Sequence, residues 1–184
     1  MLFASPLFLF LFLPCTLAVY LIVPRAAKNA VLLVCSLWFY AWGEGHYAIV
    51  VGVSVLANWL FGRAIGSSDD PARRRRWLIL AIVANLGTLA VFKYANFAVE
   101  NLNALLAALA IAPVVWSAIP LPLGISFFTF HAISYVVDVF KRNAKAERRL
   151  PDFALYILLF PQLIAGPIIR WRDIAQQFGQ RETR

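Results

Sequence analysis

Five side chains able to do chemistry recur in one short stretch: His131, Ser134, Tyr135, Asp138 and Arg142. Their spacing of i, i+3, i+4, i+7 and i+11 puts them on one face of a helix. Ionisable groups inside an apolar segment are costly, and they normally face a bundle interior or a water-filled cavity. The stripe therefore has two readings. It lines a path for a polar or acyl-bearing substrate, or its hydroxyl and imidazole groups hydrogen-bond across a helix pair and hold it together. For His131 alone the second reading leads, because acid–base work needs two groups brought together and no nucleophile or metal ligand is evident beside it. Asp138 and Arg142, one helical turn apart, are expected to pair near an interface. Gly124, Ser126 and Ser134 add small positions where another helix can approach.

The segments around this stripe belong to a membrane. The chain of 184 residues is 62% hydrophobic and 14% charged, well below the quarter or so of charged residues usual in soluble domains. The formal charge of +8 does not indicate nucleic acid. The Lys and Arg residues lie between apolar runs and form no face interleaved with aromatics. Cys15 and Cys35 fall inside apolar runs, so neither a disulfide framework nor a metal site is expected. There is no Gly-rich phosphate loop and no Ser nucleophile elbow. The first residues lack the positive charge of a secretory signal, so the N-terminal apolar segment reads as a retained span.

The apolar runs predict an all-α polytopic transmembrane bundle in a single membrane domain, with about five spans at 3–23, 24–42, 47–62, 77–93 and 123–139. Each is near the length needed to cross about 30 Å of hydrocarbon. Pro14 is expected to kink the first. Leu102, Leu105, Leu106 and Leu109 recur at helical spacing opposite Asn96, Glu100 and Asn103, which predicts a separate amphipathic surface helix over 95–111. His46, in the short turn 43–46, reads as a solvated interfacial residue. The run Arg73-Arg74-Arg75-Arg76 reads as a topology determinant, since lipid-binding clusters are usually longer.

With the N-terminus outside, the inside loops 24–29, 63–76 and 140–152 carry twelve Lys and Arg, while the outside connections carry only Lys93. An ordinary sixth span over 153–169 would place Arg170, Arg172, Arg181 and Arg184 outside and reverse that bias. Pro161 and Gly166-Pro167 also argue against a straight helix. The segment 153–169 therefore reads as a re-entrant or broken element dipping in from the cytoplasmic face, acceptable only where protein or a cavity receives it.

Leu121-Pro122-Leu123-Gly124-Ile125-Ser126-Phe127-Phe128-Thr129-Phe130, Ile133-Ser134-Tyr135, Asp138-Val139 and Phe160-Pro161-Gln162-Leu163-Ile164-Ala165-Gly166-Pro167-Ile168 resemble the membrane-bound O-acyltransferase family, in its bacterial alginate O-acetyltransferase branch. Phe39-Tyr40-Ala41-Trp42 and Phe92-Lys93-Tyr94-Ala95-Asn96-Phe97 match the same branch. The resemblance implies an inner-membrane enzyme that takes an acyl group from a cytoplasmic donor, such as acetyl-CoA or an acyl carrier, and passes it outward. Periplasmic or extracellular acetyltransferase partners then place it on a polymer. Alginate is the first expected polymer; peptidoglycan, cellulose, or D-alanyl transfer to teichoic acid are alternatives, and a non-catalytic scaffold or remnant is a further one. No cofactor and no metal are expected to be bound. Family members are longer and carry their essential histidine downstream in a Trp-His-Gly context absent from this sequence. The chain thus resembles an N-terminal part, inactive alone, with no catalytic residue of its own. By the same resemblance His131, Ser134, Tyr135, Asp138, Arg142, Gln162, Gly166, Pro167 and Arg170 are candidates for the wall of a central funnel.

Overall fold

The structure is a computed structural model that describes residues 5–163 and 169–174. The described residues form helices joined by turns and extended segments, with no strand among them. A π-helical turn, Phe8–Phe12, runs directly into α1 (Leu13–Ile22). Pro14 explains that junction. Its ring crowds the carbonyl one turn back and it offers no N–H, and the wider turn, closed by the Leu13 N–H on the Phe8 carbonyl, makes room. An extended Pro24 and a 3₁₀ turn (Arg25–Ala27) lead to α2 (Lys28–Glu44). Two residues then connect it to α3 (Tyr47–Gly66).

Next comes α4 (Pro71–Ala108), a single helix of 38 residues. Asp70 caps it, accepting from the Ala72 and Arg73 N–H groups at 2.9 and 3.3 Å, and Pro71 occupies the first turn, where a missing N–H costs nothing. The surface helix expected at 95–111 is not a separate element: it is the C-terminal part of α4. No Gly or Pro lies between Thr88 and Ala108 to break the helix. The Asn side chains that suggested a solvated face have other partners. Beyond Leu109 the chain reverses at Ala110, with φ of 54°, and returns alongside α4. Asn103 exchanges two bonds with the Val114 backbone, at 2.7 and 3.1 Å, and Asn96 does the same with Ile119, at 2.8 and 2.9 Å.

α5 (Ile125–Phe140) packs against both α3 and α4. α6 (Leu150–Leu158) packs against α2, α3 and α5, and α7 (Phe160–Leu163) follows after a break at Leu159. Among the described residues, α3 and α4 are the helices long and apolar enough by themselves to cross a membrane; Phe8–Ile22 and α5 are shorter apolar helices.

α3 and α4 are joined in their middle by a reciprocal amide pair. Asn58 donates to Asn85 Oδ1 at 3.0 Å and Asn85 donates back to Asn58 Oδ1 at 2.7 Å, while each also reaches the carbonyl one turn back on its own helix. Asn58→Ala is expected to cost about 0.5–2 kcal/mol, the range for polar pairs between membrane helices. The double Leu variant should recover part of that loss, because it leaves no amide unpaired. Unfolding in bicelles checks both.

Polar ties at the helix ends sort the bundle into two sides. At one end Asn29 bonds Asp152 at 3.3 Å, Arg142 pairs with Asp69 at 3.7 Å, and Arg74 reaches the carbonyls that close α3 and α5. At the other end the Leu123 backbone is held from α2, its carbonyl by the Tyr40 hydroxyl and its N–H by Glu44, both at 3.1 Å. The first end carries the basic loops.

From that basic end α6 descends into the bundle. The break at Leu159 falls where the Phe160 N–H finds the Ser36 hydroxyl at 3.2 Å, halfway along α2. The Phe160 ring sits among Phe8, Phe12 and Phe39, with centroids 5.4–6.1 Å away. Ile169 and Trp171 lie beside this segment. Tyr156 bonds the Ile169 carbonyl at 2.9 Å, and the Trp171 indole reaches the Lys145 carbonyl in the basic loop at 3.2 Å. Every residue from Asp152 to Leu158 is buried, so this helix is wrapped by protein over its whole circumference.

Candidate functional site

The stripe on α5 faces α6 and α7, and it does not act as one unit. His131, Tyr135 and Asp138 are buried, Ser134 is partly buried, and Arg142 is outside the helix and exposed. α5 ends in a Schellman turn. The Asn143 N–H bonds the Asp138 carbonyl, the Arg142 N–H bonds the Val139 carbonyl, and Arg142 takes φ of 59°. The expected pairing of Asp138 with Arg142 therefore gives way to an exposed pair between Arg142 and Asp69, because the two residues are no longer one helical turn apart.

His131 has both ring nitrogens engaged. Nδ1 lies 2.9 Å from the Phe127 carbonyl, which can only accept, so Nδ1 carries the hydrogen. Nε2 is then the acceptor, and Gln162 Nε2 donates to it at 2.8 Å. The ring stands edge-on to Tyr156, with centroids 5.6 Å apart. A neutral imidazole with its lone pair occupied is a bolt between α5 and α7, and it has no free site for taking a proton. Two residues singled out in the sequence thus meet, although nothing in their separation of 31 positions announces it. His131→Ala and Gln162→Ala are each expected to cost about 1–3 kcal/mol by stranding the other partner. The double variant should cost little more than either single one. A double-mutant cycle on detergent-solubilised protein reads that coupling.

Tyr135 is fully buried. Its ring packs on Phe153 at 4.5 Å and edge-on to Trp171 at 5.7 Å, and its hydroxyl accepts the Glu147 N–H at 3.1 Å, pinning the basic loop to α5. Asp138 differs from its neighbours. It is 6% exposed, and its Oδ2 is fully buried without a hydrogen-bond partner among the described residues. Such an oxygen is a strong acceptor for a hydroxyl, amide or cationic group brought to it. Arg170 is exposed, and Gly166 and Pro167 lie outside the described residues. Among the described residues no group of three or more His, Cys, Asp or Glu could hold a metal.

One residue that sequence reasoning missed is Arg74. It alone of the four consecutive arginines is buried, and its guanidinium bonds the carbonyls of Ile65 and Ser68 with one nitrogen and those of Val139 and Phe140 with the other. The available signal was its register with Ala81 and Asn85, at i+7 and i+11 on the face of α4 that turns inward.

Fold and composition together define a helical membrane protein with a buried polar seam. Known proteins place it further. The chain is 43% identical over 183 residues to the probable alginate O-acetylase AlgI of Pseudomonas aeruginosa, covering 98% of this chain and 35% of that one. It is 42% identical over 182 residues to the probable alginate O-acetylase AlgI of Azotobacter vinelandii, covering 98% and 36%. It is also 32% identical over 219 residues to the peptidoglycan O-acetyltransferase of Helicobacter pylori, covering 100% and 40%. Over nearly its whole length the chain is thus similar to AlgI-type alginate O-acetylases and to a peptidoglycan O-acetyltransferase. It spans 34–40% of the length of the curated relatives it matches. No family model and no solved structure matches it.

Proposed function

We propose that the chain is part of a membrane O-acyltransferase that passes acetyl groups across the inner membrane for O-acetylation of an exopolysaccharide, with alginate as the polymer. The observation that carries this reading is identity of 40–43% to four alginate O-acetylases over 98% of the chain. In this reading the basic end faces the cytoplasm, where a donor such as acetyl-CoA or an acyl carrier arrives, and the N-terminus is periplasmic. The segment α6–α7 is re-entrant from the cytoplasmic side, and five crossings surround it. The seam on α5 walls the transfer path, and Asp138 is the polar group that this wall presents. Partner acetyltransferases on the far side receive the group.

The 32% identity to a peptidoglycan O-acetyltransferase supports a second reading, in which the acceptor is peptidoglycan. Disrupting the gene and measuring ester-linked acetate on each polymer separates the two. Loss from a secreted uronate polymer is expected, loss from peptidoglycan selects the second reading, and no loss from any envelope polymer overturns both. Cysteines placed at Ser67 and Lys145 should label from the cytoplasm; labelling of either from the periplasm contradicts the orientation.

A further inference from the structure

As a sequence element, four consecutive arginines are too short a cluster for recognition of anionic lipid, and their charge is explained by topology alone. The fold changes the count. Arg74 turns inward and ties the first turn of α4 to the ends of α3 and α5, and Gly66 lies close enough to Ala146 that an added methyl group would stand 2.8 Å from its Cβ. The 63–76 turn and the loop that follows α5 are thereby pressed together. Arg73, Arg75 and Arg76 stay exposed around the first turns of α4, Arg63 lies in the last turn of α3, and Lys141 and Arg142 follow the end of α5, Arg142 paired with Asp69. Together, residues 63–76 and 140–152 hold ten Lys and Arg against four Asp and Glu.

These cations flank the ends of apolar runs. Arg76 immediately precedes the apolar run that begins at Trp77, and Lys141 immediately follows the apolar run that ends at Phe140. Arg63 lies over the Trp59 ring, its guanidinium 5.0 Å from the centroid, as an interfacial arginine does. The ends of apolar runs meet the headgroup layer of a bilayer, where phosphates are available at high density. We propose that the junction of the 63–76 turn with the loop after α5 is a binding site for the phosphates of an anionic phospholipid, one with two phosphates such as cardiolipin fitting the spread of charge best. The proposal rests on the membrane placement of the bundle and is independent of which polymer is acetylated. A topology signal needs only the number of positive charges during insertion, whereas a lipid site needs these charges gathered at one junction.

The test uses the protein purified in a neutral detergent, with native mass spectrometry counting retained lipid after exposure to tetraoleoyl cardiolipin or to dioleoyl phosphatidylcholine. The variant carries Arg73→Gln, Arg76→Gln and Lys141→Gln, all exposed positions, and keeps Arg74. Wild type should retain cardiolipin and not phosphatidylcholine, and the variant should bind cardiolipin roughly 100-fold more weakly, three cationic side chains having been removed. Its melting temperature without lipid should match wild type, showing that the fold is intact. Equal retention by both proteins would overturn the proposal. So would displacement of the cardiolipin by adenosine 3′,5′-bisphosphate, which would assign the junction to a soluble phosphate.

Discussion

Arg74→Ala is expected to lose about 3–5 kcal/mol of stability, the size of effect seen when one partner is removed from a buried charged network. Its Nη1 donates to the Ile65 carbonyl at 3.0 Å and the Ser68 carbonyl at 3.3 Å, and its Nη2 to those of Val139 at 3.0 Å and Phe140 at 2.7 Å. Ile65, Val139 and Phe140 carry carbonyls of the last turns of α3 and α5, and Ser68 lies in the turn just after α3. The partial negative charge of two helix C-termini stands in for a carboxylate counter-ion. The guanidinium also lies 5.8 Å from the Phe140 ring centroid. Arg74→Lys keeps the charge but not the planar fork that reaches both helix ends at once, so it should recover less than half of the loss. Arg73→Ala, exposed one residue earlier, should stay within about 0.5 kcal/mol of wild type. Thermal unfolding of the three variants in one detergent decides the matter. Equal melting of Arg74→Ala and Arg73→Ala would remove the clamp from the account.

Gly62→Leu is expected to prevent the native packing of α5 on α3 altogether. A Cβ at Gly62 would overlap the Tyr135 ring and hydroxyl, and Tyr135 is itself fully buried and hydrogen-bonded to the Glu147 N–H. The smallest addition, Gly62→Ala, should already cost about 1–3 kcal/mol through overpacking. Gly87 is the control. Nothing lies within 4 Å of its added Cβ, so Gly87→Ala should stabilise by about 0.5–1 kcal/mol through helix propensity alone. Shortening Tyr135 to Leu on the Gly62→Ala background should relieve much of the clash, and the two changes should be far from additive. A Gly62→Ala protein that melts with wild type would mean that Tyr135 does not rest on that glycine.

The helices were legible in the sequence because lipid imposes long apolar runs, and the turns because Pro24, Gly45 and Asp70-Pro71 punctuate them. The stretch 95–111 was misread for a physical reason. Periodicity shows that one face is polar, but it cannot say whether water or a returning extended segment satisfies that face, and Asn96 and Asn103 bond backbone. Arg142 was misplaced because the spacing argument assumed that α5 continued, whereas a left-handed residue ends it. The link from His131 to Gln162 and the inward turn of Arg74 depend on which segments meet, and that is written in tertiary packing more than in any local pattern. Ser36 is a similar case, a lone small polar residue in an apolar helix that proves to hold the Phe160 N–H where the α6–α7 segment breaks.

Asp138 gives the most direct test of the proposal that this seam walls an acetyl-transfer path. A buried carboxylate oxygen without a partner is a liability to the fold, so Asp138→Leu should leave the protein as stable as wild type or more so. If the carboxylate serves the path, the same variant should lose function while gaining stability. The measurement is the ester-linked acetate on the secreted polymer, by proton NMR, in a disrupted strain restored with the gene in wild-type or Asp138→Leu form at equal membrane levels. Wild type is predicted to restore acetylation and Asp138→Leu to leave the polymer essentially unacetylated. Full acetylation with Asp138→Leu would contradict the account.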